Sequence, residues 1–252
     1  MNICVIKPDF VVRKNIADQL NKSNMSFVVI EGLDGSGKST QLNNLCSYLD
    51  GQNINYRYIH FPRIDSSLFG SLIAMFLRGD LGSIDTVNPY LAALLYAGNR
   101  NDAKKEISGW LSDKYLVIAD RYVYSNIAYQ CSKLTGNEEK KQLKSWILHL
   151  EYEHYGIPRP DINIFLDVPM GFTRKNLENS RTGNDREYLG GKEDIHEKSI
   201  PFQEKVRREY LDQDEIEHDI KVLNCYDKQK KILKTDEITK KLISLLRERN
   251  II

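Results

Sequence analysis

Apolar positions along this chain fall into two alternating periods. Short apolar, β-rich runs recur at Phe27–Ile30, Tyr56–Phe61, Tyr115–Asp120, Asp161–Val168 and Ile220–Asn224. Each is short and bounded by turn or charged residues, the signature of a buried strand. Between them the apolar spacing changes to that of helices. After the first run, Gln41, Leu42, Leu45 and Leu49 share one helical face, and Asp50-Gly51 signals a stop. Ser67–Gly79 puts Leu68, Leu72, Met75 and Phe76 on one side. Further helices are expected over Pro89–Leu111, Tyr124–Leu134, Glu138–Tyr155, Lys192–Asp212 and Asp236–Arg249, with Pro62, Pro158 and Pro160 as breaks. Strands alternating with helices predict an α/β fold: a five-stranded parallel sheet with helices on both faces. The functional site of such a sheet lies at the carboxyl ends of its strands.

No repeat or interior linker divides the chain, so residues 26–252 read as one domain. Residues 1–25 read as an N-terminal extension. It is mildly amphipathic (Phe10, Val11, Ile16, Leu20), but Asp9 and Asp18 argue against a transit peptide. The least apolar interior stretch, Arg174–His196, has the composition of a solvated surface loop; beside a phosphate-binding loop the reading preferred is a mobile lid that closes over a phosphate donor.

Composition narrows the function classes. A formal net charge of +1 over 252 residues offers no bulk attraction for nucleic acid or anionic membrane. No apolar run approaches the ~20 residues of a membrane span. Cys4, Cys46, Cys131 and Cys225 are scattered without a C-x-x-C pair, which suits a reduced compartment. A cytoplasmic setting is expected, with an organelle left open. His149 and His154 are five apart and do not share a helix face as zinc ligands do.

The chemistry is concentrated after the first strand. Gly32-Leu33-Asp34-Gly35-Ser36-Gly37-Lys38-Ser39, followed by Thr40, fits the phosphate-binding loop G-x-x-x-x-G-K-[ST]. Its glycines let successive backbone N–H groups approach oxyanions at a helix N-terminus. Lys38 supplies a positive charge for the β/γ-phosphates and Ser39 a hydroxyl for Mg²⁺. Asp120 ends the third strand, where a carboxylate commonly holds Mg²⁺ directly or through water. Arg63 and Arg121 follow strands two and three and can face a second phosphate group. Tyr96 and Phe69 suit stacking on a base or the core. The lid offers Arg174, Arg181 and Arg186 for the transferring group.

The ordered set IEGLDGSGKST (30–40), FPR (61–63), LLYAGNR (94–100), DRYVYSNIAYQ (120–130) and PRPDINIFLDVP (158–169) resembles the thymidylate kinases. These are P-loop enzymes that move the γ-phosphoryl of ATP to dTMP. MFLRGDLG (75–82) and KEDIHE (192–197) resemble a bacterial and organellar branch. The resemblance implies a P-loop kinase fold, ATP and Mg²⁺ as cofactors, and a homodimer. Gly32–Thr40 would hold ATP. Asp34 would accept from the 3′-hydroxyl of dTMP, and Arg63 and Arg121 would clamp its 5′-phosphate. Tyr96 would stack on thymine and Arg100 would bind its edge. Tyr129 and Asn126 would crowd the sugar 2′ position, and Gln130 would lie near the base. Gly35 stands where some relatives carry a P-loop arginine, so Arg181 or Arg186 would supply that charge. Asn224–Asp227 aligns loosely with the adenine loop.

Rival readings are weaker. A deoxynucleoside kinase needs a base after strand two, where this chain has Arg63, with Asp65 two residues on. A GTPase needs N-K-x-D, and Asn21-Lys22-Ser23-Asn24 lacks the aspartate. A catalytically dead binding module sits poorly with intact Lys38, Ser39, Asp120 and Arg121.

Overall fold

A computed structural model describes residues 26–65, 67–178, 189, 194–196, 199–216 and 220–252. The five expected strands all form: β1 (Phe27–Gly32), β2 (Tyr56–His60), β3 (Leu116–Asp120), β4 (Ile162–Asp167) and β5 (Ile220–Asn224). They make one parallel sheet in the order β2-β3-β1-β4-β5. The chain moves from β1 to one side for β2 and β3, then to the other for β4 and β5. That reversal opens a crevice at the carboxyl end of β1.

Alternation along β1 sends Phe27 and Val29 to one face and Val28 and Ile30 to the other. Against the second face lie α1 (Lys38–Gly51), through Leu42, Leu45 and Leu49, and α9 (Thr235–Glu248), through Ile238, Leu242 and Leu246. The larger core covers the first face. It draws on α3 (Pro89–Asp102), α4 (Lys104–Ser112), α5 (Val123–Cys131), α6 (Asn137–Leu148) and α8 (Ile200–Ile216). A smaller cluster joins α2 (Ser67–Leu77) to α3 through Ile73, Phe76 and Ala92.

Three helical expectations need correction. Pro89–Leu111 is two helices, because Ala103 turns the chain with its N–H bonded to the carbonyls of Arg100 and Asn101. Glu138–Tyr155 is α6 followed by a π-helical turn, His149–His154, whose wider winding accompanies the burial of Glu151. The helix expected from Lys192 starts only at Ile200. Before it, the Asp194 carboxylate accepts from His196 N at 2.8 Å, and Ile195 N bonds to Leu77 O, pulling this stretch onto α2. At the start of the expected lid, Arg174–Glu178 is helical and belongs to α7 (Met170–Glu178).

Candidate active site

The loop after β1 has the geometry its sequence demands. Gly35 and Gly37 sit at φ 76° and 81°, in the left-handed region. Gly37 caps α1 and Lys38 is its first residue, so the loop opens onto a helix N-terminus. Asn176 of α7 donates to Gly35 O at 2.8 Å and ties that helix to the loop. Lys38 Nζ lies 3.3 Å from Asp120 Oδ1, and His60 Nδ1 lies 3.1 Å from Asp120 Oδ2. Burial pushes the Asp120 carboxyl up, but Lys38, His60 and Arg121 outweigh it and hold it well below the carboxylate range. Burial and the neighbouring Arg121 lower Lys38, against the pull of Asp120 and Asp34.

Arg121 follows β3 in a left-handed conformation, φ 65°. Its Nη2 donates to Asp34 Oδ1 at 2.6 Å and its Nη1 to Ser125 Oγ at 3.2 Å. The other oxygen of Asp34 accepts from Tyr129 Oη at 2.7 Å and from Gln203 Nε2 at 3.0 Å. Burial works against the Asp34 charge, but Arg121, the Tyr129 hydroxyl and Lys38 outweigh it and push the carboxyl well down. The P-loop carboxylate is thus tied to α5 and α8. Buried His196 lies 4.9 Å, centroid to centroid, from the Tyr129 ring. Burial and the nearby Lys133 lower its pKa to about 3, so its imidazole is neutral.

Next to this cluster, Arg100 is buried and makes a two-pronged bond to Glu151, at 2.5 and 2.7 Å. Burial disfavours its charge, but Glu151 overcomes this and raises its pKa. Asn126 Nδ2 also donates to Glu151, at 3.0 Å. Two guanidinium nitrogens, Nε and Nη2, are therefore committed to Glu151. Tyr96 is half-buried on α3, edge-on to Phe76 with centroids 6.3 Å apart. Asn126 Oδ1 and both side-chain polar atoms of Gln130 are buried and have no hydrogen-bond partner among the described residues. Asn126 and Gln130 are one turn apart on α5, so these orphaned groups lie on one side of that helix.

Two expected positions look different in three dimensions. Arg63 Nη1 pairs with Glu106 at 2.9 Å near the surface. Its backbone is fixed by Asn99, which accepts from Arg63 N at 2.8 Å and donates to Arg63 O at 3.0 Å. The Phe69 ring lies against Gly98, where a Cβ would come within 2.3 Å of it, so it serves the α2–α3 contact. Arg174 is exposed on α7. Arg181 and Arg186 lie outside the described residues. Ser39 and Thr40 are exposed at the start of α1.

Residues 30–236 match the thymidylate kinase family model. The chain belongs to the thymidylate kinase family. It is 32% identical over 155 residues to the thymidylate kinase of Plasmodium falciparum, covering 61% of this chain and 67% of that one. It is 31% identical over 202 residues to a probable thymidylate kinase of Pyrococcus abyssi, covering 79% and 87% respectively. The structure superposes on thymidylate kinase from Candida albicans with a TM-score of 0.64 and 26% identity, over 90% of this chain and 92% of the other. As in the family, ATP is the phosphoryl donor, and among the described residues no helix is long and apolar enough to cross a membrane.

Sequence reasoning passed over Glu31, Asn99, Glu151, His196 and Gln203. Glu31 stood inside the quoted IEG and Asn99 inside GNR. A carboxylate in a strand that is otherwise apolar is a signal available from sequence. Glu151 gave none, because it lies in a helix already rich in charge.

Proposed function

We propose that this enzyme transfers the γ-phosphoryl of ATP to dTMP, giving dTDP and ADP. One observation carries the reading. The P-loop with Lys38 and Asp120, and the Asp34–Arg121–Tyr129 cluster, meet at the carboxyl ends of β1 and β3. A donor cradle and an acceptor clamp thereby share one crevice. Phosphoryl transfer needs alignment and charge neutralisation above all. The acceptor is itself an ionised phosphate, so no general base is required, and the arginine that follows β2 fits this better than an acid.

In this reading Gly32–Thr40 hold the ATP phosphates, and Arg121, with Arg63 from the loop after β2, binds the 5′-phosphate of dTMP. Tyr96 stacks on thymine, and Arg100 Nη1 and Gln130 face its polar edge. Tyr129 and Asn126 close the sugar pocket, and Asp34 accepts from the 3′-hydroxyl. Mg²⁺ fits the Ser39 hydroxyl and the Asp120 carboxylate, whose buried Oδ1 lies 3.3 Å from the Lys38 ammonium at the mouth of the phosphate loop. Mg²⁺ bound with substrate phosphates needs only one or two protein oxygens, and it supplies charge neutralisation across them. Residues 26–252 act as one domain; the lid expected over about 174–196, with Arg181 and Arg186 as candidates for the charge on the transferred group, falls largely outside the described residues. The P-loop itself holds no arginine.

A homodimer completes the reading. Leu68 and Leu91, 77% and 62% exposed, lie on α2 and α3 with Leu72 and Leu94, an apolar face suited to a second copy.

The test is ADP release from ATP with dTMP, thymidine, dUMP and dCMP side by side, in wild type and Arg121→Met. Activity on dTMP that collapses in the variant, with none on thymidine, supports the reading. Turnover of thymidine that survives Arg121→Met overturns it and moves attention to Asp65 as a base.

A further inference from the structure

Glu31 is a charged residue at the centre of the sheet and is fully buried. Four donors converge on its carboxylate. Oε1 accepts from Tyr122 N at 2.9 Å and Ser125 N at 3.1 Å. Oε2 accepts from Ser125 Oγ at 2.5 Å and Tyr210 Oη at 2.9 Å. This fills the acceptor positions a carboxylate has. None of the four donors belongs to the P-loop. Three come from the start of α5, immediately after Arg121.

That placement has a local purpose. Tyr122 is the N-cap of α5, and its side chain makes no capping bond. Glu31 Oε1 takes the N–H groups of the cap residue and of Ser125, the two donors a capping box satisfies. Burying them unpaired is costly. The residue just outside the cap is Arg121, whose left-handed backbone is unfavourable for a side chain unless its surroundings hold it. It is held on both sides, by its own N–H to Ile30 O at 3.0 Å and by the Tyr122 N–H to Glu31. The guanidinium is held the same way. Asp34 grips Nη2 directly, while Nη1 donates to Ser125 Oγ, which in turn donates to Glu31.

We propose that Glu31 is the positioning residue for Arg121, acting through the N-terminus of α5 and through Ser125 to aim the guanidinium at the acceptor's phosphate. The inference rests on the reading of Arg121 as that clamp. It assigns Glu31 an effect on the phosphate of the nucleoside monophosphate alone, neither on its base nor on ATP.

The experiment compares Glu31→Gln, Ser125→Ala, Arg121→Met and the double variant Glu31→Gln/Arg121→Met. Glu31→Gln keeps one carbonyl oxygen for the two backbone donors, and Ser125→Ala leaves the cap untouched, so folding is retained in at least one. Readouts are the KM for dTMP, the KM for ATP and the calorimetric affinity for thymidine, which lacks the phosphate. Glu31→Gln is expected to raise the KM for dTMP about tenfold, as for a weakened charged hydrogen bond. Ser125→Ala shifts it in the same direction. KM for ATP and thymidine affinity stay within about twofold of wild type, and Glu31→Gln adds less than about twofold on top of Arg121→Met. The proposal is overturned if Glu31→Gln weakens dTMP, ATP and thymidine alike, if its effect adds in full to that of Arg121→Met, or if neither Glu31→Gln nor Ser125→Ala moves the KM for dTMP. If Arg121→Met itself spares dTMP, the clamp reading fails first, and Glu31 has nothing to position.

Discussion

Removing one partner of the Arg100–Glu151 pair separates stability from recognition. Arg100 is 2% exposed and Glu151 0%. The carboxylate accepts two bonds from the guanidinium and a third from Asn126 Nδ2. In Glu151→Met these donors lose their acceptor while a full positive charge stays buried. Breaking such a pair costs about 3–5 kcal/mol. For a chain of this length each kcal/mol is worth about 2–4 °C, so melting is expected to fall by roughly 6–20 °C. The double variant Arg100→Met/Glu151→Met removes the orphaned charge and fills the space with apolar atoms. Such replacements are often neutral or stabilising, so much of the loss is expected to return. Activity is not expected to return with it. If Arg100 Nη1 reads the edge of thymine, kcat/KM for dTMP stays down by at least about tenfold in both variants, while the KM for ATP holds. The assays are differential scanning calorimetry and coupled ADP release. The reasoning is refuted if Glu151→Met melts within about 2 °C of wild type, or if the double variant is as unstable as the single.

Four further outcomes are expected. His196 is neutral in the folded protein, so stability is lost as pH falls below its ordinary value of 6.5 toward about 3, where only the unfolded chain takes the proton; His196→Phe flattens this part of the urea-midpoint profile. Gly98→Ala drives a methyl into the Phe69 ring, costing about 1–3 kcal/mol by calorimetry and raising the KM for dTMP through displacement of α3. Leu68→Glu with Leu91→Glu converts a dimer to a monomer by light scattering if the α2–α3 face joins two copies. Turnover of dUMP is expected, with kcat/KM about 10–200-fold below that of dTMP, because one methyl in a pocket discriminates by only about 1–3 kcal/mol.

What the sequence made legible follows from range. The strands are short apolar runs flanked by breaks, a local pattern, and all five lie where that pattern puts them. Gly35, Gly37 and Lys38 obey local backbone rules and were equally plain. The misreadings arise where a distant partner decides. A long helical period over Pro89–Leu111 says nothing of the turn at Ala103, and one over Glu138–Tyr155 says nothing of the π-helical turn that accompanies a buried Glu151. Arg63 follows β2 and Phe69 is an aromatic that suits a base or the core, and the partner each meets across the α2–α3–α4 surface, Glu106 and Gly98, is equally invisible to a local pattern. The ties of Asp34 to Gln203 and of Arg100 to Glu151 cross 169 and 51 positions in the chain. No periodicity encodes such a pairing.

On the proposed function two polyanions share one crevice, and the placement of Asp34 bears on how they do so. A carboxylate inside a phosphate loop opposes the ligand it faces, so by itself it is a fault. Here three donors from α8, α5 and the end of β3 converge on it, and one is the guanidinium of Arg121. Asp34 grips its Nη2, and Ser125, itself bonded to Glu31, takes its Nη1; in the proposed function this holds Arg121 on the acceptor side. Arg121 is thus paired with Asp34 and linked to Glu31 through Ser125, so a clamp built on it depends on its direction as well as its charge. A lysine in its place keeps the charge but loses the fork that spans Asp34 and Ser125. Arg121→Lys is therefore expected to impair dTMP use nearly as much as Arg121→Met, and near wild-type use of dTMP by the lysine variant would show that charge alone suffices.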